Sequence, residues 1–502
     1  MRDAVLGIDI GTSAVKAILF DVSGAEVATA SRSYGFLTPQ PGWVEQDPEV
    51  VWEALASSVR EMLGRAGDCH VLSLALAAQA GSVIPVQENG DPAYPMVTWL
   101  DSRSSGLVNE WMADGTADRI RELSGWHPYP GLPLPSIAWL QRYRPEVCAR
   151  AARYLGVADF FIYRLSGCLA TDYSAAAEMI LVDARTGQWN EQLCELGGLD
   201  PARQPALGWA GRQVGRVTPE AAALTGLPAG TPVIAGGHDH CCECVAMGIT
   251  RPGKMMLSTG TAWTVTGAIE SPALDGIPEA MNLNYHVVPG RWTVTQLLGG
   301  FGATVDWWIE GAWQSPDPGR QYTRKELYPF FDKALLSSVP GSHGVLFLPF
   351  TEAPQEPGGL GGGGFVGLEL ASTRADMSRA VLEGCAFEVR WFLDDLGSRG
   401  MREEELWISG GATGSPVWPQ ILADVTGVPI VLARYPNWAA LGAAILAGWG
   451  IGVYPSLEEG IERLQPPVQR ILPDLSLAEL YAGRLALYQR TARKLTGAEH
   501  RL

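Results

Sequence analysis

Residues Ala4–Tyr34 read AVLGIDIGTSAVKAILFDVSGAEVATASRSY, and the order of apolar runs and turns in this stretch decides the fold. Val5, Leu6 and Ile8 lead to Asp9, Gly11-Thr12-Ser13 supplies the small residues of a turn, and Ala17–Phe20 forms a second β run. Val22-Ser23-Gly24 then makes another turn. A related arrangement opens the second half: Lys254–Leu257, the turn Ser258-Thr259-Gly260-Thr261, then Ala262–Ile269. Two such hairpins, one per half, predict an internal duplication. The break between halves is expected near Gly248–Pro252, giving domains 1–248 and 249–502.

Outward from the hairpins, strands alternate with helices. Pro48–Leu63 carries Val51, Leu55 and Met62 at helical spacing and is expected to stop at Gly64. Ser73–Val86 is an apolar β-like run broken at Gln79-Ala80-Gly81. Cys385–Leu396 and Pro416–Thr426 read as helices, and Leu406–Ser409 as a strand running into Gly410-Gly411-Ala412. The fold class is therefore α/β.

Length and composition narrow the function. At 502 residues the chain exceeds one ordinary core, so two domains are expected. A formal net charge of -17 excludes nucleic acid as a partner, because phosphate-backbone binding needs a broad basic face. Met1–Asp9 lacks the apolar run of a signal peptide. Ala439–Tyr454 is apolar but shorter than the ~20 residues that span a bilayer, and reads as a buried helix. Eight scattered cysteines do not form a disulfide framework, and a cytoplasmic protein without membrane partners is expected.

Four Gly-rich turns carry candidate chemistry. In the first, the amides of Asp9–Lys16 offer a concave donor array for anionic oxygens. Thr12 and Ser13 add hydroxyls, Lys16 adds a charge, and Asp9 suits a hydrated Mg²⁺. A plain polar hairpin turn would read the same way. The turn at Ser258–Thr261 has the same chemistry, and Leu298–Ala303 and Ser409–Ser415 each precede a helical pattern, where phosphate or polar nucleotide groups are favoured. Asp239, in Gly236-Gly237-His238-Asp239-His240, follows the apolar run Pro232–Ala235. A carboxylate at a strand end, with glycines admitting a substrate, suits a general base; a helix N-cap is the other reading. His238, His240, Cys241, Cys242 and Cys244 are zinc-ligand types, but their spacing matches no paired framework, so cysteines packed in a helix are expected.

Taken together, these segments resemble the FGGY family of carbohydrate kinases. The resemblance runs from about Val5 to Tyr454. It rests on DIGTSAVKAILFD (from Asp9), GWVEQDP (Gly42–Pro48), DFFIYRLSG (Asp159–Gly167), TDYSAA (Thr171–Ala176), GGHDH and STGT. RAVLEG (Arg379–Gly384), GGATGSPVWPQILADVTG (Gly410–Gly427) and LGAAILA (Leu441–Ala447) complete it. The resemblance implies two actin-like, ribonuclease H-like domains with the active site in the cleft between them, and ATP and Mg²⁺ as cofactors. It places Asp9 at the Mg²⁺ site and Thr12, Ser13 and Lys16 at the nucleotide phosphates. It sets Thr261, Gly302, Asp306, Gly411 and Ser415 around ATP, and makes Asp239 the general base.

The acceptor is less constrained. Family members acting on glycerol or xylulose resemble one another in carrying Gln-Arg-Glu or Gln-Met-His where this chain has Gln79-Ala80-Gly81. The other candidates for gripping a sugar are Trp99, Asp101 and Arg103 in TWLDSRS, and His240; a strand-end aromatic beside a surface ion pair is the other reading of that segment. The family's GERTP-like loop is replaced by Thr351–Pro357. A ketopentose such as xylulose is the first expectation, with gluconate, a tetritol or another polyol beside it, and a non-catalytic sugar or nucleotide sensor from another class. The resemblance is also consistent with a homodimer.

Overall fold

The computed structural model describes residues 2–273, 277–312, 320, 322–349 and 363–496. The divergent segment 351–357 lies outside them. In the first half, β1 (Arg2–Ile10), β2 (Ala14–Asp21) and β3 (Glu26–Ser33) form an antiparallel meander. Helix α1 (Pro48–Ala66) crosses to β4 (Cys69–Ala78), which pairs parallel to β1; β5 (Gln213–Arg216) and β6 (Pro232–His238) complete the sheet. The strand order is β5-β6-β4-β1-β2-β3.

The second half repeats this plan. β7 (Lys254–Thr259), β8 (Trp263–Ile269), β9 (Asn282–Tyr285), β10 (Trp292–Gly299), β11 (Glu405–Gly410), β12 (Ile430–Leu432) and β13 (Gln469–Ile471) lie in the order β9-β10-β8-β7-β11-β12-β13. In each sheet a hairpin is extended by a third antiparallel strand on one side and two parallel strands on the other. The duplication suggested by two short turns is therefore present in whole-sheet topology.

Several helices run further than their glycines suggest. α1 continues through Gly64 to Ala66 and ends at Gly67, whose φ of 68° is the left-handed conformation a glycine adopts freely. The helix expected from Cys385 begins at Arg374 and passes through Gly384 to Ser398, because the capping box of Thr373 and Asp376 starts it earlier. Pro416 precedes rather than opens its helix, Trp418–Thr426.

Two buried helices join the halves. α2 (Asp239–Ala246) follows β6, and α3 (Trp438–Gly450), from the second half of the sequence, packs back onto β1, β4 and β6. Their apolar faces share one core with Val5, Ile18, Ala75 and Ile234 of the first sheet and Met256, Trp407 and Val431 of the second. The helices meet closely: a Cβ on Gly442 would lie 1.9 Å from the carbonyl oxygen of Cys242. Cys241, Cys242 and Cys244 are buried here, and all eight cysteines are free thiols. No described helix is long and apolar enough to cross a membrane.

Candidate active site

Strand register assembles the first wall. The parallel strands pair Ile10 with Ala78 and Ala78 with His238, so Asp9, Gln79 and Asp239 all emerge at one sheet edge. Carboxyl ends of parallel strands are where open α/β sheets bind ligands. The β1–β2 pairing sets Asp9 opposite Lys16, whose Nζ donates to Asp9 Oδ2 at 3.2 Å. Thr12 and Ser13 form the turn between them; the Thr12 carbonyl accepts from Gln46 Nε2 at 2.8 Å, and its hydroxyl oxygen accepts from Trp99 Nε1 at 3.1 Å. Burial pushes the Asp9 carboxyl up to about 6, with Lys16 opposing and the charge of Asp239 adding to the rise. Glu243, one helical turn beyond Asp239, is pushed by burial up to about 8, and the charges of Asp239 and Asp9 add to it. Among the described residues no group of three or more His, Cys, Asp or Glu side chains is arranged to hold a metal ion directly, so a cation at Asp9 would keep most of its water shell.

Asp239 is the first residue of α2, and the N-cap position belongs to His238. Its Oδ1 accepts from the His240 amide at 2.8 Å and lies 3.0 Å from His238 Nε2. Oδ2 has no hydrogen bond among the described residues. Burial would raise this carboxyl, but the His238 hydrogen bond and the charges of His240 and His238 hold it below the usual carboxylate range. The helix N-terminus favours the same anionic form. The neighbouring glycines serve the protein's own packing rather than ligand access. A Cβ on Gly236 would lie 1.9 Å from the Leu76 carbonyl oxygen, and one on Gly237 would lie 2.5 Å from Ser174 Oγ.

The second wall comes from three turns of the other sheet. Thr259 pairs with Gly410, and its hydroxyl bridges from the Ser409 carbonyl to the Ala412 amide. Thr261, exposed at the tip, accepts through its carbonyl from Ala303 at 3.0 Å. Gly302 fits there only without a side chain, since a Cβ would lie 2.0 Å from the Gly260 carbonyl oxygen. Gly411 stands directly after β11 in the same group. Asp306, on the helix Phe301–Ala312, is bound by Arg324 Nη1 at 2.6 Å and Tyr328 Oη at 2.9 Å. Ser415 is buried and fully engaged: its oxygen accepts from the amides of Val417 and Trp418, both at 3.1 Å, and its hydroxyl donates to Asp332 at 2.6 Å. In this arrangement its hydroxyl organises the start of the helix Trp418–Thr426. Asp332 had no signal in the sequence.

The acceptor candidates separate into two groups. Trp99 is half exposed beside Thr12, and Gln79 is buried with its Nε2 donating to Gln46 Oε1 at 3.2 Å. His240 lines a narrow chamber at the meeting of the two halves, with Trp126, Glu178, His238 and Asn284 among its other walls. Asp101 and Arg103 lie elsewhere. Their side chains are fully buried, with Arg103 Nη2 at 2.7 Å from Glu45 Oε1 and 2.8 Å from Asp101 Oδ2, and its guanidinium 4.0 Å over the Trp43 ring. This pair is neither a surface ion pair nor available to a sugar. GWVEQDP supplies the partners: Trp43 and Glu45 enclose Arg103, Gln46 holds the Thr12 turn, and Asp47 caps α1.

Sequence reasoning missed Trp126, Glu178 and Asn284. Glu178 offered one signal, a single carboxylate in the otherwise small or apolar run Ser174–Ile180. It is buried, its Oε1 lies 2.7 Å from His238 Nδ1, and that same oxygen accepts from Asn284 Nδ2 of the second half at 3.3 Å. The indole N–H of Trp126 is buried with no partner among the described residues.

Comparison with known proteins agrees with this two-walled cleft. The N-terminal domain of the FGGY family of carbohydrate kinases matches residues 4–246, and its C-terminal domain matches residues 255–451. The chain belongs to the FGGY family of carbohydrate kinases. It is 28% identical to the L-xylulose/3-keto-L-gulonate kinase of Escherichia coli K12, over 99% of this chain and 98% of that one. It is 25% identical to a gluconokinase of Bacillus licheniformis, over 99% and 96% respectively. The crystal structure of xylulose kinase from Rhodospirillum rubrum superposes with a TM-score of 0.90 at 29% identity, covering 98% of this chain and 99% of that one. The protein is a sugar kinase.

Proposed function

We propose that the protein transfers the γ-phosphoryl group of ATP to a hydroxyl of a small neutral sugar or polyol, a ketopentose such as xylulose first, with Asp239 as general base. The observation that carries this reading is the state of Asp239: one oxygen is held by two N–H groups, the other has no hydrogen bond among the described residues, and the carboxyl is held ionised at a strand end beside Asp9 and Lys16. Oδ2 would accept the proton of the acceptor hydroxyl as its oxygen attacks phosphorus. Lys16 and the Thr12-Ser13 turn would hold the phosphates from the first half, and the turns at Thr261, Gly302 and Gly411 would hold the nucleotide from the second. Asp9 would hold Mg²⁺ through its water shell, and the ion would supply neutralisation of phosphate charge. A sensor has no use for a carboxylate in this state at this place.

Charge around the chamber favours a neutral acceptor over gluconate. Among its described lining residues the charged groups are Glu178 and His238, and His238 already lies between Glu178 and Asp239. Burial holds His240 below its usual value and so disfavours its charged form. Arg103, the cation in TWLDSRS, is locked away against Glu45 and Asp101 and does not meet a substrate carboxylate. A sugar acid would bring its charge against Glu178 and Asp239, two carboxylates that share the single imidazole of His238, whereas hydroxyls can use Trp126 Nε1, Asn284 and Glu178. An ADP-release assay over ketopentoses, tetritols, pentitols and aldonates tests this. Neutral compounds are expected to stimulate turnover and gluconate to fall at least about tenfold behind in kcat/KM, equivalent to ~1.4 kcal/mol. Preference for gluconate would reverse the assignment of the acceptor, and no stimulation by any compound would favour the sensor.

A further inference from the structure

We propose that Glu178 and His238 are positioning residues that form a carboxylate–imidazolium–carboxylate relay ending on Asp239 and fix both the orientation and the ionisation of the base. The inference rests on Asp239 being that base. Both ring nitrogens of His238 face carboxylate oxygens, Nδ1 at 2.7 Å from Glu178 Oε1 and Nε2 at 3.0 Å from Asp239 Oδ1. A neutral imidazole has one donor and one acceptor nitrogen, so it would turn a lone pair on one of the two carboxylates; only the imidazolium donates to both.

The backbone holds the ring in place. The His238 amide donates to Ser174 Oγ at 3.0 Å, and that hydroxyl donates to Asp172 Oδ2 at 2.7 Å. Asn284 fixes the far end by donating to both the Ser174 carbonyl and Glu178 Oε1. The relay therefore begins on the second half and ends at the base on the first.

The titratable surroundings act in the same direction. From its own helix the imidazole meets Asp239, the stacked His240 ring at 5.1 Å and the Cys241 thiol at 3.9 Å; from other elements it meets Glu178 and Asp172. Burial alone would lower His238, but the Glu178 charge and the hydrogen bond to Asp239 carry it well above its usual value. Asp239 itself also faces His240, which favours its anion, while its burial disfavours it. With His238 neutralised by substitution, the burial of Asp239 would act unopposed from that side.

The test has two arms. In full-length protein labelled with ¹⁵N at histidine, one imidazole is expected to stay doubly protonated well above the range of a free imidazole without nucleotide or sugar, and to titrate at lower pH in Glu178→Gln. An imidazole at this site that titrates near 6.5 in the wild type would overturn the relay. In the second arm, His238→Gln keeps a neutral donor, and the kcat–pH profile is read with the best acceptor from the panel. Because Asp239 must be ionised, its acidic limb should move to higher pH by about one to three units, with KM for ATP unchanged. An unchanged limb with uniformly lower kcat would reduce His238 to a packing residue and overturn the proposal. The first arm needs no acceptor. A doubly protonated imidazole with no turnover on any sugar would thus sink the kinase reading and leave the relay standing.

Discussion

Asp239→Asn is expected to lower sugar-stimulated turnover by about 10²–10⁴-fold, the range a positioned general base contributes, with nucleotide affinity and thermal stability close to wild type. Asparagine keeps the size of the side chain and can still accept from the His240 amide, so α2 should start as before. It cannot take a proton from the acceptor hydroxyl. The measurement is ADP release with and without sugar, together with nucleotide binding by titration calorimetry. A fall in kcat with unchanged ATP affinity is the predicted signature, because the lost interaction acts only as the proton moves. Sugar-stimulated turnover equal to wild type would remove Asp239 from the chemistry.

The second large effect falls on folding. Arg103→Ala should destabilise the protein by about 3–5 kcal/mol, because it leaves Glu45 and Asp101 as buried carboxylates without their cation. Tyr94 and the Trp43 ring lose their contacts with the guanidinium as well. Arg103→Lys should recover only part of this, since an ammonium cannot reproduce the fork to Asp101 together with stacking on Trp43. Urea unfolding followed by tryptophan fluorescence reads both variants. A loss under about 1 kcal/mol for Arg103→Ala, the range of an exposed pair, would contradict the burial that separates this arginine from the sugar site.

How much of this was legible in the sequence depended on distance along the chain. The two hairpins and their Gly/Thr turns were readable because strand, turn and strand lie within about thirty residues of each other. The partners of Arg103 were not: Trp43 and Glu45 lie near the start of the chain, and nothing local in TWLDSRS indicates that its charges face inward. Glu178 joins His238 across 60 positions, and Asn284 joins Glu178 across 106, so the relay exists only once β6, α2 and β9 are packed. Gly236 and Gly237 were recognised as special for a different reason from the one the fold supplies. Their missing side chains admit the Leu76 carbonyl and Ser174, and through Ser174 they help set the His238 backbone.

The fate of the γ-phosphorus tests the central claim most directly. In ³¹P NMR of the wild-type protein with ATP, Mg²⁺ and xylulose, a new phosphomonoester signal should grow in step with ADP, without matching inorganic phosphate. If xylulose fails, the best neutral compound from the panel takes its place. ADP accompanied only by inorganic phosphate, with every neutral acceptor, would mark an ATPase and contradict the transfer of phosphate to a sugar hydroxyl.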